Sequence, residues 1–313
     1  MTTTADHTHV DDDRATPSGG PGLPRGPRIA GLPIRPRAYA GRWAAVVGIV
    51  ALLALLTVAF VNGRIKWDVV GQYLFAPTIL RGVGMTLLMT FCAMLLAIVL
   101  GTLVAIMRMS SNPVLRGASG GYVYVFRGVP TLLQLMLWFN ISLIFPTLTI
   151  PGVVDVSMND VMTPFVAALL GLGLSQSAYT AEVVRAGILS IDRGQTEAGL
   201  AIGMTGARLM RRIVLPQALR VIVPPIGNET IGMLKYTSLA AMISYNELLR
   251  EAQLIYYTNN EVIELLLVAT FWYLIGVTVL TVGQMFIERR LGRGFTRPSP
   301  VRVTARRRRG EGR

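Results

Sequence analysis

The sequence predicts an all-α membrane protein with six transmembrane helices and both termini in the cytoplasm. Apolar residues make up 52% of the 313 residues and charged residues only 15%, a balance outside the usual range of soluble domains. The charged residues are also segregated, so that long stretches of the chain carry no charge. Because about 20 apolar residues suffice to cross the hydrocarbon core as a helix, these stretches are candidate spans.

Five charge-free stretches meet this length, and each is predicted to form one spanning helix: 43–61, 82–107, 128–154, 161–181 and 265–287. A further predicted span, 221–245, which is the fifth in chain order, is interrupted by Glu229 and Lys235, so hydropathy alone scores it poorly. We predict that it spans because the basic residues before it would otherwise share one side of the membrane with the loop that precedes residue 265.

The distribution of Lys and Arg sets the predicted orientation, because cytoplasmic loops retain these residues near the membrane. Placing both termini inside assigns 25 of the 30 basic residues to the cytoplasm. Arg64, Lys66, Arg81 and Arg250 then lie outside, and Lys235 lies within the fifth span. Topology therefore explains most of the net charge of +13. A protein that binds nucleic acid presents a folded basic face. The basic residues here are scattered over loops and tails, so no nucleic-acid partner is expected.

Two terminal segments are predicted to be cytoplasmic tails. Residues 1–42 are rich in Gly and Pro, which predicts disorder, and they are followed by a retained helix at 43–62 rather than by a cleaved signal peptide. Residues 293–313 form a basic tail whose arginine run, 306–309, either attracts anionic membrane lipid or remains solvated.

Several catalytic classes need residue types that the chain scarcely contains. The only histidines, His7 and His9, lie in the predicted tail, so neither a zinc–histidine site nor a catalytic triad is expected. Neither Lys66 nor Lys235 has the Gly-Lys-Ser/Thr setting of a phosphate-binding loop. We therefore expect no catalytic residue, no metal site, no bound cofactor and no enzymatic activity in this chain. A nucleotide that drives it would be bound by a partner.

A cytoplasmic stretch at 192–216, between the fourth and fifth predicted spans, is predicted to form two short helices. Asp192 suits the N-cap of the first helix, and Gly203 suits the left-handed position that ends it. Thr205 is predicted to cap the second helix. Leu215 and Pro216 are then expected to turn the chain toward the membrane.

Small residues at positions 198, 199 and 201 keep the first of these helices thin. A thin amphipathic helix suits a groove on another protein. A surface helix lying on the lipid headgroups fits the same periodicity equally well. Periodicity alone therefore leaves both interpretations open.

The loop resembles the Glu-Ala-Ala loop of ABC-importer permeases in three segments: Gly194-Gln195-Thr196-Glu197-Ala198-Gly199, Gly203-Met204-Thr205, and Leu215-Pro216-Gln217-Ala218. Its flanks resemble the polar amino acid branch of that family in Phe126-Arg127-Gly128-Val129-Pro130, Ala178-Tyr179, Pro224-Pro225, Gly227-Asn228 and Thr237-Ser238-Leu239. The resemblance covers a five-helix core at about 78–292. One departure is Gly199, which stands where a second Ala is usual and is expected to lower helix propensity by about 1 kcal/mol.

The resemblance implies a permease subunit in a bacterial inner membrane that imports polar or charged amino acids. It implies four kinds of partner: a cytoplasmic ABC ATPase that binds ATP, a second permease copy or paralogue, an extracytoplasmic solute-binding protein, and the amino acid itself. The loop is then a coupling helix that docks on the ATPase. Glu197 makes a polar contact there, Ala198 keeps the helix thin and Gly203 sets the bend.

Polar residues within the predicted spans are candidates for the translocation pathway, because ionisable groups at membrane depth are costly and seldom face lipid. The candidates are Gln134, Asn140, Asn228, Glu229 and Lys235. Glu229 either meets a substrate ammonium or stabilises packing. Glu182 and Arg185, three residues apart on one helix, are predicted to form an internal ion pair.

The main alternative to an ATP-driven permease is a secondary amino acid transporter coupled to an ion gradient. Such a carrier would also need charges within the membrane and interrupted helices. The sequence shows no convincing internal repeat of the kind that these carriers often have. A membrane scaffold that transports nothing is a further alternative.

Overall fold

The protein was analysed as a computed structural model, which describes residues 40–150 and 154–291. The predicted tails at 1–42 and 293–313 lie outside these ranges, except for 40–42, which begin the first helix. The described chain is mostly helical, as predicted. Its α-helices are α1 (Ala40–Val61), α2 (Trp67–Leu74), α3 (Pro77–Met109), α4 (Pro113–Gly128), α5 (Thr131–Phe139), α6 (Met158–Val161), α7 (Pro164–Leu189), α8 (Arg193–Ala201), α9 (Gly206–Leu209), α10 (Leu215–Tyr236), α11 (Leu248–Asn259) and α12 (Val262–Leu291).

The chain divides into two units, one up to Gly63, which contains α1, and one from Arg64 onward. Two helices, α3 and α12, are long and apolar enough to cross a membrane, and α1 contains a shorter apolar stretch, Trp43–Leu55. The predicted spans at 82–107, 161–181 and 265–287 fall largely within α3, α7 and α12. Charge-free length therefore located three helices of the larger unit.

The third predicted span is wrong as a single helix. Residues 128–154 contain α5, a 3₁₀ turn (Ile141–Leu143) and one strand of a hairpin, which pairs Thr147–Ile150 antiparallel with Val154–Ser157. Pro130 ends the preceding helix, because it lacks an N–H and restricts the residue before it to an extended backbone. The helical pair α4 and α5 therefore replaces the predicted span, and a small β-hairpin departs from the all-α class.

Proline also starts several helices. Pro77, Pro113 and Pro164 occupy the first turns of α3, α4 and α7, where no N–H is needed. Asn112 and Thr163 cap α4 and α7 by accepting hydrogen bonds from backbone N–H groups of the first turn. These signals fix where the two helices begin.

The helices α3 and α7 form the central seam of the larger unit. A Cβ atom at Gly101 would lie 2.7 Å from the carbonyl oxygen of Ser177, so the two backbones approach too closely for a side chain there. Glu182 of α7 binds Arg108 of α3, and its other oxygen accepts a 2.9 Å bond from Arg185. The predicted Glu182–Arg185 pair is thus confirmed, and Arg108 extends it across the seam.

The fifth predicted span, 221–245, begins earlier and changes conformation before its end. Helix α10 begins at Leu215 and ends at Tyr236, although it contains Pro224 and Pro225. A 3₁₀ helix, Thr237–Ile243, follows, and Ser244 has a left-handed backbone with φ of 62°. Ile243 and Tyr245 are buried in a cluster with residues of α3 and α7, so this segment packs inside the bundle.

Candidate translocation and coupling sites

A cavity of about 420 Å³ lies between α5, α7 and α10. Seven of its ten lining residues carry a polar side-chain group, and one of them, Glu229, is formally charged. The full lining consists of Thr131, Leu172, Ser175, Gln176, Tyr179, Asn228, Glu229, Gly232, Met233 and Tyr236. The cavity therefore combines one carboxylate with several neutral donors and acceptors, which suits a small polar molecule that carries a positive charge.

Glu229 is held at the cavity wall by α7. The hydroxyl of Thr180, which is fully buried, donates a 2.9 Å hydrogen bond to Glu229 Oε2. Glu229 forms no ion pair with any residue in the described ranges. A half-buried carboxylate that accepts a hydrogen bond from a hydroxyl and has no cationic partner among the described residues is a suitable site for an incoming ammonium group.

Asn228 also lines the cavity, and its side-chain oxygen accepts a 3.2 Å bond from Gln284 Nε2 of α12. Lys235 lies in the last turn of α10 and is exposed. It is absent from the cavity lining and forms no ion pair within the described part of the chain. The structure thus brings Asn228 and Glu229 together at the cavity, with Lys235 outside its wall.

The structure gives Gln134 and Asn140 local roles away from this cavity. Gln134 is 5% exposed, and its Nε2 donates to the carbonyl oxygens of Phe126 (3.0 Å) and Val129 (2.8 Å). Pro130 has no N–H for the Phe126 carbonyl, so the Gln134 amide supplies the missing donor. Asn140 donates to the carbonyl of Met136 at 2.9 Å, at the C-terminal end of α5.

The first loop helix, α8, has the predicted termini. Asp192 Oδ1 accepts a 2.7 Å bond from the backbone N–H of Gly194, as expected of an N-cap. Gly203 has φ of 78°, and the N–H of Met204 donates to the carbonyl of Gly199 at 3.0 Å. With the bond from Gly203 N–H to the Leu200 carbonyl at 2.9 Å, this is a Schellman motif.

The two faces of α8 differ sharply. Gly199 is buried, and a Cβ atom there would lie 2.2 Å from Leu209 Cδ1, so a side-chain atom would displace Leu209. Glu197 and Ala198 are exposed on the same helix, and Ile202 beyond its end is 79% exposed. Gly199 thus lets α8 pack closely against α9, and the outer face of α8 exposes acidic and apolar groups.

The second loop helix differs from the prediction. Thr205 precedes α9, but its hydroxyl makes no capping bond. Helix α9 then continues through a π-helical segment, Met210–Val214, directly into α10. Leu215 and Pro216 therefore do not turn the chain. Proline is accommodated in the first turn of α10, and Gln217 Nε2 donates to the Ile213 carbonyl at 3.0 Å.

Sequence reasoning missed the contribution of α7 to the cavity. Ser175, Gln176, Tyr179 and Thr180 follow one another at helical spacing within an otherwise apolar span. That polar stripe was a usable signal, because uncharged polar residues in a span are enriched where helices face each other or a cavity. The inward orientation of Gly199 carried no signal in the sequence.

Comparison with known proteins identifies the family. Residues 97–293 match the model of the family described as "Binding-protein-dependent transport system inner membrane component". Over 274 residues the chain is 40% identical to the arginine transport system permease protein ArgU of Corynebacterium glutamicum, which covers 87% of this chain and 86% of that protein. It is 37% identical over 230 residues to the L-cystine transport system permease protein TcyB of Bacillus subtilis, covering 73% and 92%.

A solved structure gives the same result at the level of the fold. The structure described as an amino acid ABC transporter with histidines matches with a TM-score of 0.62 at 33% identity, covering 70% of this chain and 97% of that chain. Subunits of this family are membrane components whose ATPase is a separate subunit, so the chain is not itself an enzyme. The chain belongs to the family of binding-protein-dependent transport system inner membrane components, and the permease subunit of an ABC importer expected from its sequence is confirmed.

Proposed function

We propose that the chain is one of two permease subunits, identical or paralogous, of a bacterial cell-membrane importer that carries polar or charged amino acids through the cavity between α5, α7 and α10. Both termini lie in the cytoplasm, and the chain crosses the membrane six times if α4 and α5 together count as one crossing. The observation that supports this proposal most directly is the single carboxylate, Glu229, in a cavity whose other lining residues are uncharged. The names of the relatives, which include arginine and L-cystine systems, support an amino acid cargo.

Glu229 binds the ammonium group of the amino acid. Every amino acid carries this group, and the cavity lining offers one charge of opposite sign. Thr180 orients the carboxylate from α7, and Asn228 adds a neutral amide beside it. An ammonium ion that leaves water for the cavity needs such a charged acceptor, because desolvating it without one is costly.

Replacing Glu229 with Gln tests this assignment. Glutamine keeps an oxygen for the Thr180 hydroxyl and removes the charge, so the affinity for L-arginine, measured by equilibrium binding to the permease–ATPase complex, should fall about 10- to 100-fold. The matched control is Glu261→Gln, which removes a carboxylate that pairs with Lys66 and lies outside this cavity. Unchanged arginine affinity in Glu229→Gln would reduce Glu229 to a packing role.

Transport is energised through α8, which docks in a groove of the cytoplasmic ATPase. The proposal rests on its outer face, where Glu197 and Ala198 are exposed and Leu200 is 53% exposed. An exposed apolar side chain beside a single carboxylate on a thin helix suits insertion between two walls of a partner. In this proposal ATP is bound by that partner, and neither a nucleotide site nor a bound cofactor is expected in this chain.

Two substitutions in this loop should uncouple ATP hydrolysis from uptake. Glu197→Arg reverses the charge on the docking face, and Gly203→Pro forces φ from 78° to about −65°, which destroys the bend. Gly206→Pro is the control, since proline is tolerated in the first turn of α9 and open space surrounds Gly206. Normal ATP-dependent uptake by both loop mutants in proteoliposomes would refute the coupling role.

The same proteoliposomes distinguish an importer from the ion-coupled alternative. Uptake should require ATP and the solute-binding protein, and it should persist when ionophores collapse every ion gradient. A secondary transporter would give the opposite pattern, because its driving force is the gradient itself.

A further inference from the structure

We infer that Arg127 binds the carboxylate of the amino acid while Glu229 meets its ammonium group. This assignment rests on the proposed function of the cavity and extends it to the second charged end of the substrate. An amino acid in solution carries both charges, so a site that desolvates it needs a donor for the carboxylate as well. The cavity lining contains no Lys or Arg.

One cation, Arg127, is stacked on a residue of the cavity wall. The guanidinium carbon of Arg127 lies 4.9 Å from the centroid of the Tyr179 ring, and Tyr179 lines the cavity. Arg127 occupies the last turn of α4, four residues before Thr131, which also lines the cavity. The start of α5 thus lines the cavity, and the end of α4 contacts the lining residue Tyr179.

Arg127 is free to take an anion. Its side chain is exposed and forms no hydrogen bond or ion pair with residues 40–150 or 154–291. Stacking on an aromatic ring uses the flat face of a guanidinium and leaves its N–H edge available for a bidentate bond to a carboxylate. The Tyr179 ring therefore positions Arg127 without consuming its donors.

Lys235 is the competing cation, because it neighbours Tyr236, another lining residue. Arg127 is the better candidate on two grounds. Its position is fixed by an aromatic partner, whereas Lys235 has no cation–π partner within the described residues. A guanidinium also matches the two oxygens of a carboxylate, whereas an ammonium is a point charge.

Two probes that differ only in the carboxylate test the assignment. L-Arginine and its decarboxylated form, agmatine, are bound at equilibrium to the permease–ATPase complex in lipid nanodiscs, without the solute-binding protein. Wild type should bind arginine about 10- to 100-fold more tightly than agmatine. Arg127→Gln should lower the arginine affinity to that of agmatine and leave agmatine binding unchanged, which also shows that the variant is folded. Arg127→Lys should retain part of the preference.

Several outcomes overturn the assignment. It falls if Arg127→Gln weakens both probes equally or neither, and it falls if Lys235→Gln, rather than Arg127→Gln, removes the preference. If wild type binds both probes equally and Glu229→Gln weakens both, only Arg127 loses its role and the proposed cavity stands. If wild type binds neither probe, the cavity is not an amino acid site and both proposals fall.

Discussion

At the scale of single residues, a buried amide repairs the break that a proline makes. Pro130 removes the helical donor for the Phe126 carbonyl, and Gln134 Nε2 bonds both this carbonyl and that of Val129. Unbonded carbonyls at this position would be costly, because the surroundings are apolar and Gln134 itself is buried. Gln134 therefore stabilises the joint between α4 and α5.

Gln134→Leu should destabilise the permease by about 1–3 kcal/mol, because it leaves the Phe126 and Val129 carbonyls without the donor that Gln134 supplies. Asn140→Leu is the matched control. It also removes an amide that bonds a backbone carbonyl, but Asn140 is exposed, so its loss should stay within about 0.5 kcal/mol. Unfolding midpoints in detergent would measure both. Equal losses, or a transport defect in Gln134→Leu without any loss of stability, would contradict this role.

At the scale of elements, the loop at 192–216 is held together where α8 packs against α9 at Gly199. The sequence predicted Gly199 to be a mild weakness in helix propensity. The structure instead makes it the contact residue, since Leu209 fills the space that a side chain would need. Beyond α9, the π-helical segment leads directly into α10, so the chain is helical without a break from Gly206 to Tyr236.

Gly199→Val should separate α8 from α9, because its Cβ would already lie 2.2 Å from Leu209 Cδ1. Adding Leu209→Ala should restore the contact by removing the opposing atoms, so the double mutant should behave better than the first substitution alone. Hydrogen exchange of the α8 amides is the measurement. Exchange should rise at least about tenfold in Gly199→Val and fall in the double mutant; additive effects would exclude a direct contact.

At the scale of the whole molecule, the prediction concerns the side of the membrane on which each loop lies. In a Cys92→Ala background, a cysteine at Thr149 in the hairpin should react with a membrane-impermeant maleimide from outside intact cells. A cysteine at Thr205, before α9, should react only after the membrane is opened. Both positions are exposed, so labelling reports the side of the membrane rather than burial. The reverse pattern would invert the topology and remove the coupling role of the loop.

Much of this architecture could be predicted from the sequence. Charge-free length located α3, α7 and α12, and capping residues gave both ends of α8. Length alone failed at 128–154, because an uncharged stretch also contains the turn and the hairpin, and a proline outweighs apolar composition. The π-helical continuation past Pro216 was also beyond reach, since periodicity does not distinguish a first helical turn from a loop exit.

The cavity was predictable only in part. Glu229 and Asn228 could be named because polar groups at membrane depth are unusual. The polar stripe of α7 indicated a helix or cavity contact, but the pairing of Thr180 with Glu229 could not be predicted, because it depends on how two helices far apart in the sequence cross. Gln134 is also a polar residue in an apolar stretch, so the sequence does not distinguish it from a pathway residue. Its hydrogen bonds to the Phe126 and Val129 carbonyls give it a structural role.

The tight contact at Gly101 and the cavity wall differ in the substitutions that they can accommodate. At Gly101, where α3 meets α7, there is no room for even one added methyl group. The cavity wall is different, because Gly232 and the exposed ring of Tyr179 border open space. New solutes could thus be accommodated by exchanging a few wall residues, while the scaffold behind them stays unaltered. Related transporters could change their substrates in this way without altering the packing of α3 against α7.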